Sequence, residues 1–169
     1  MPGETYNILF LCTRNRARSI IAEAIVNREG HGRFRAFSAG TEPDRQVRPE
    51  VIGLLKRLNF NAEAAHAKSL KDLIQAKMPP MDFIFTLCDQ TIEKTCPVWP
   101  GHPATALWPI PDPKQAKSRP SEQDLAYVET YRTLNNRLSA FMNMPFDKLD
   151  QLSSRDSLDS IEMARGRLQ

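Results

Sequence analysis

Apolar and polar positions along the chain fall into a repeating order of short continuous runs and longer stretches of helical spacing. Tyr6 to Leu11 is a nearly unbroken apolar run and predicts a buried strand ending at Cys12. The amphipathic stretch Ile20 to Val26 lies within a predicted helix from Ser19 to Arg28, which stops near Gly30. Arg33 to Ser38 reads as a short second strand, followed by the turn Ala39-Gly40-Thr41. Pro49 to Leu58 has helical spacing through Val51, Ile52, Leu54, Leu55 and Leu58. Ser69 is placed to cap a short helix through Leu73 and Ile74. Asp82 to Leu87 predicts a third buried strand, ending at Cys88, and Ala104 to Trp108 a fourth. Ser121 to Met142 predicts a long helix with Leu125, Val128, Tyr131, Leu134, Leu138 and Phe141 on one face.

Strands alternating with helices imply an α/β fold, a three-layer sandwich around a central four-stranded parallel sheet with right-handed crossovers. Ligands in such sheets bind beyond the carboxyl ends of the strands. Cys12 and Cys88 each follow such an end, so they can be near neighbours despite their separation in sequence. Residues 1–145 form the expected body. Residues 146–169 form a helical tail, in which Leu149, Leu152, Leu158, Ile161 and Met163 trace one broken amphipathic helix. Docking of the tail on the body is the preferred reading; a partner surface is the alternative.

Composition narrows the class. A chain of 169 residues fits one domain with a sizeable core, and 41% hydrophobic with 25% charged residues is ordinary for a soluble globular protein. A net charge of +3 is too small to argue for nucleic acid, but leaves small anions or acidic partners open. No apolar run approaches the roughly 20 residues that span a bilayer, so no membrane role is expected. Met1-Pro2-Gly3-Glu4 lacks the basic and apolar regions of an export signal. The three cysteines cannot all pair within the chain, which fits a reduced, cytoplasmic setting and a reactive role.

The candidate chemistry begins at the end of the first strand. The segment Cys12-Thr13-Arg14-Asn15-Arg16-Ala17-Arg18-Ser19 is a tight loop running into a helix. Such a loop can turn successive backbone N–H groups inward as a nest for an anion, with Cys12 at its floor. Arg18 can fork two donors onto a tetrahedral oxyanion. The nest and the helix N-terminus favour thiolate over thiol, which makes Cys12 a nucleophile near neutral pH. Asn15 suits a left-handed backbone position, and Ser19 can hydrogen-bond the loop or the thiolate. The plain alternative is a small buried cysteine at a strand end. Cys88 and Cys96, seven mostly polar residues apart, are either unreactive thiols or a dithiol able to supply two electrons by closing a disulfide. Three cysteines without a neighbouring histidine pair make a poor zinc set. His31, His66 and His102 are scattered and read as surface or structural.

Over roughly residues 6–145, the loop Cys12 to Ser19, Ser38-Ala39-Gly40, Cys88 to Cys96 and Asp112-Pro113 resemble the low-molecular-weight protein tyrosine phosphatase superfamily, which includes arsenate reductases. The resemblance implies that fold, a catalytic domain over residues 1–145, and an oxyanion site built from Thr13, Arg14, Asn15, Arg16, Ala17, Arg18 and Ser19. It implies that Asp112, in a proline-stiffened loop, is the general acid, for which partial burial would suit the proton transfer. Thioredoxin-coupled arsenate reductases carry three cysteines in this arrangement. The likeness therefore maps Cys12 to the nucleophile, Cys88 to the first resolving thiol and Cys96 to the second. No cofactor is required by this chemistry. Some reductases of this type hold a potassium ion beside the loop, and Asn15, Glu23 and Ser38 match three of its ligands; Glu23 paired with a nearby arginine is the alternative.

The expected function is arsenate reduction, with arsenate or phosphate as the bound oxyanion and thioredoxin, or glutaredoxin with glutathione, as reductant. One rival is a phosphatase acting on phosphotyrosine or a small phosphate ester through a phosphocysteine. Lys114, Gln115 and Ala116 stand where that branch places aromatic residues, which counts against it. Trp99 and Trp108 could wall an aromatic slot, but core positions are preferred. A second rival is a non-catalytic anion-binding module. It rests on Arg14 and Arg16, which stand where family loops commonly carry glycine and a small or apolar residue. The two arginines would either resist the loop conformation or draw oxyanions to it.

Overall fold

A computed structural model describes residues 5–87, 103–113, 119–145 and 148. Cys88, Cys96, Trp99, His102, Lys114 to Ala116 and, apart from Lys148, the tail of residues 146–169 lie outside the described residues.

The elements follow the order expected from the hydrophobic pattern. They are β1 (Tyr6–Cys12), α1 (Arg18–Glu29), β2 (Phe34–Gly40), α2 (Pro49–Arg57), a 3₁₀ turn (Ala62–Ala64), α3 (Leu70–Gln75), β3 (Phe83–Thr86), β4 (Ala104–Leu107) and α4 (Pro120–Met142). The four strands form one sheet in the order β2-β1-β3-β4, with every pair parallel. Chain order reverses across β1 and β3. In a doubly wound sheet that is where a crevice opens beyond the strand ends. Cys12 closes β1 at this point.

Alternation along β1 sends side chains to two layers. Ile8 and Phe10 join the larger core with Ile20, Ile21 and Ile25 of α1 and Leu134, Leu138 and Phe141 of α4. Leu9 and Leu11 face the smaller core with Leu70 of α3, Met81 and Ile84. Both faces of the central strands are covered, so their apolar runs are nearly continuous. Trp108 is fully buried and packs on Phe85 with ring centroids 4.2 Å apart, a core position as the sequence favours. Among the described residues, no helix is long and apolar enough to cross a membrane.

Two local expectations are corrected. Leu125 is 61% exposed, and the buried face of α4 runs instead through Tyr127, Thr130, Leu134, Leu138 and Phe141. The cause is angular: nine residues separate Leu125 from Leu134, which at 3.6 residues per turn puts them on opposite sides of the helix, whereas Tyr127 comes almost level with Leu134. Ser69 precedes α3 but makes no side-chain capping bond. Its backbone instead forms a parallel bridge with Gly40.

Candidate oxyanion site

The Cys12–Ser19 loop is shaped by backbone bonds from the segment after β2. Glu42 N–H donates to the Thr13 carbonyl (2.9 Å), Asp44 N–H to Arg14 (2.9 Å) and Arg48 N–H to Arg16 (3.1 Å). These three carbonyls therefore point outward. Across a planar trans peptide the next N–H points the opposite way, so those of Arg14, Asn15 and Ala17 turn toward the loop interior. N–H groups so turned can receive an anion, and α1 continues them, with no acidic residue in its first turn and no side-chain acceptor at its N-cap, Ala17. Cys12, buried at the strand end and paired with Gly40 in the β1–β2 ladder, forms the floor of the loop.

Asn15 takes the left-handed conformation expected of it, with φ 48°. Its fully buried side chain is a two-way brace. Nδ2 donates to Ser19 Oγ (2.8 Å), and Oδ1 accepts from Lys68 N–H (2.7 Å). With its oxygen accepting from Asn15, Ser19 keeps its own hydroxyl proton for another acceptor. Arg14 is not among the described residues with positive φ, so no left-handed strain attends an arginine there.

The arginines divide by partner. Arg18 donates to the Ile110 carbonyl (2.8 Å), and its second terminal nitrogen lies 3.9 Å from Asp112 Oδ2. Arg16 reaches Asp44 Oδ2 at 2.8 Å and the same Asp112 oxygen at 3.4 Å. Arg14 extends to Glu42 and Asp44 at 3.9 and 4.0 Å. Burial opposes the charge on Arg16, but its hydrogen bond with Asp44 and the charges of Asp44 and Asp112 outweigh it and raise the guanidinium above its ordinary range. Asp112, the expected acid, is thus brought beside Arg18.

The residues expected to hold potassium do meet, around an ammonium. Ser38 Oγ donates to Glu23 Oε2, and Lys68 Nζ bonds the same oxygen at 3.2 Å and the His66 carbonyl at 2.8 Å. Asn15 Oδ1 is taken by Lys68 N–H. The donor set does not fit a potassium ion: one cationic charge already lies on Glu23, and two of the expected ligand oxygens accept hydrogen bonds. The alternative of an arginine on Glu23 gives way to Lys68. His31 and His66 are exposed.

Sequence reasoning missed Lys68, Asp44 and a partly buried group behind the loop. There Arg48 meets Glu50 at 3.4 Å, next to the Tyr127 hydroxyl. Burial pushes the Tyr127 phenol up; Arg48 opposes the shift and Glu50 adds to it. Arg48 is raised, chiefly by Tyr127. The one available signal was the run of charges from Glu42 to Glu50, which gains meaning only once that segment is known to hang on the loop.

Leu87 N–H donates to the Leu11 carbonyl (3.0 Å), which continues the Thr86–Leu11 register of β3 on β1. The residue preceding Cys88 is thereby held beside the residue preceding Cys12.

A model of the low molecular weight phosphotyrosine protein phosphatase family matches residues 7–154. The arsenate reductase of Bacillus subtilis (strain 168) is 27% identical over 135 residues, 79% of this chain and 93% of its own. The solved arsenate reductase of Archaeoglobus fulgidus superposes with a TM-score of 0.62 at 25% identity, covering 81% of this chain and 99% of that one. A thioredoxin-dependent arsenate reductase of Corynebacterium glutamicum gives a TM-score of 0.62 at 22% identity, covering 91% of this chain and 66% of its own.

Proposed function

The chain belongs to the low molecular weight phosphotyrosine protein phosphatase family, and on that footing we propose that it is an arsenate reductase. Arsenate binds in the Cys12–Ser19 nest through inward N–H groups and Arg18. The Cys12 thiolate attacks arsenic, and one arsenate hydroxyl leaves as water with a proton from Asp112. The Cys88 thiolate then attacks Cys12 Sγ. An S–S bond forms, the As–S bond breaks, and its electron pair stays on arsenic, which departs as arsenite. Cys96 exchanges the disulfide to Cys88–Cys96, and thioredoxin, or glutaredoxin with glutathione, supplies the two electrons that reopen it. Lys68 provides the positive charge beside Glu23, so this reading calls for no potassium.

The observation that carries the reading is the bond between Leu87 and Leu11. Phosphate-ester hydrolysis needs only the nest, Cys12 and Asp112, because water resolves a phosphocysteine. Reduction needs a second thiol within reach of Cys12, and this register brings the chain leading to Cys88 alongside it. The non-catalytic reading loses its support in Arg14 and Arg16, since both cations face the carboxylates of residues 42–44.

The test is thiol titration and mass mapping after arsenate without reductant, followed by turnover with thioredoxin and glutaredoxin systems side by side. A disulfide involving Cys88 is expected. Cys12→Ser should lose all activity, and Cys88→Ser should lose multiple turnover while hydrolysing an arylphosphate. Wild-type arsenate turnover by Cys88→Ser refutes the relay and advances the phosphatase reading.

A further inference from the structure

Arg16 ties two separate segments together across the site. Its Nη1 holds Asp44 in the segment after β2, at 2.8 Å, and its Nη2 reaches Asp112 in the segment after β4, at 3.4 Å. The guanidinium is mostly buried, with 17% of the side chain exposed. Asp44 is itself fixed, because its N–H donates to the Arg14 carbonyl. The strut therefore runs from one wall of the loop to the other through a planar group with little freedom.

The oxygen of Asp112 that Arg16 contacts is the one nearest Arg18, at 3.9 Å. A general acid works within roughly 2.6–3.2 Å of the atom it protonates. Whatever is attached to a leaving oxygen must then pass the space around this carboxylate, between Arg18 and Arg16. For arsenate the leaving group is a hydroxyl, with nothing attached. For an aryl ester it is a ring, and a ring there meets a guanidinium held by two carboxylates.

We infer that Arg16 is a specificity-determining and positioning residue, whose bridge from Asp44 to Asp112 makes the site favour compact inorganic oxyanions over aryl-bearing ones. This rests on the reading of Cys12–Ser19 as an oxyanion site, and it does not require that the bound oxyanion be reduced.

The test is a ligand preference measured by calorimetry on the full chain, with inorganic phosphate and phenylphosphonate as probes. Wild type binds phosphate the tighter. Arg16→Leu shifts the ratio of dissociation constants toward phenylphosphonate by tenfold or more, the order that one misplaced group produces in a pocket. Arg16→Lys, which cannot span both carboxylates with a fork, shifts it by less. Asp44→Asn frees the outer anchor and shifts it in the same direction; it decides the matter should Arg16→Leu not fold. An unchanged ratio in the folded variants overturns the inference, as does an equal loss of both probes, which would make Arg16 purely structural. Failure of arsenate turnover would refute the reductase reading and leave this measurement intact, whereas absence of phosphate binding by wild type refutes the oxyanion site and this inference together.

Discussion

Gly40→Ala tests whether the nest depends on the close approach of β2 to the loop. An added Cβ at Gly40 would lie 2.6 Å from the Thr13 carbonyl oxygen, 3.0 Å from Asn15 Cβ and 3.1 Å from the Arg14 carbonyl carbon. Two of these are backbone atoms, so no rotamer change relieves the contact. Restoring an ordinary separation of 3.4 Å to Thr13 requires the loop to retreat by about 0.8 Å, the difference between 3.4 and 2.6 Å. That motion strains the bond from Glu42 N–H to Thr13 and moves the N–H groups that turn toward the loop interior. Overpacking of this kind costs roughly 1–3 kcal/mol, and each kcal/mol lowers the melting temperature of a domain this size by about 2–4 °C. A displacement near 1 Å costs on the order of 10²-fold in rate. Gly30→Ala is the control. Its Cβ meets the Val26 carbonyl oxygen at 2.6 Å, an equal clash placed between α1 and β2 rather than at the loop. Thermal melts and single-turnover arsenate kinetics on both variants should show similar destabilisation, with the loss of rate confined to Gly40→Ala. Wild-type kinetics in Gly40→Ala, or an equal rate loss in Gly30→Ala, refutes the argument.

Arg18→Lys should weaken phosphate binding about 10- to 100-fold by calorimetry. It removes one charged hydrogen bond of the fork, worth roughly 1.5–3 kcal/mol, along with the anchor on the Ile110 carbonyl; unchanged affinity would mean that Arg18 does not touch the anion. Lys68→Met should lower stability by about 1–2 kcal/mol, since it strips a mostly buried carboxylate of its ammonium partner. Its melting temperature should then rise with potassium but not with a bulky organic cation, whereas wild type should not distinguish the two. Tyr127 has a phenol pKa raised by burial, so the folded state keeps a proton that the unfolded state releases above pH about 10. The contribution of Tyr127 to stability is therefore constant below that pH and falls above it. Urea titrations should show a shallower alkaline decline in Tyr127→Phe, and an identical decline would remove Tyr127 as the cause.

The strands were legible because both faces of the sheet are covered, which leaves near-continuous apolar runs such as Ile8 to Leu11. The long helix was legible in extent but not in phase. Leu125 reads as core by type, and only the angle from Leu134 shows otherwise. The loop between β1 and α1 was legible because Cys12 to Ser19 is one short segment between an apolar run and a helical spacing, and Asn15 takes the left-handed position its type suits. The pairs that complete the site were not. Arg16 and Asp44 stand 28 residues apart, and Lys68 and Glu23 stand 45 apart. Crossovers bring them together, and neither spacing nor periodicity carries that information. Ser69 stands at the N-cap position of α3 as expected, but its side chain makes no capping bond, and its backbone bridge to Gly40 of a distant strand was not legible in sequence.

The bonds from residues 42, 44 and 48 to the loop join main chain to main chain at both ends. They make no demand on the side chains at Thr13, Arg14 or Arg16. The shape of the cradle and the chemistry of its rim are therefore separately heritable. Rim residues can be exchanged over generations, glycine for arginine or an apolar residue for a charged one, while the inward N–H groups stay where they are. A lineage can thus alter the rim without first unmaking the backbone frame that surrounds its cysteine.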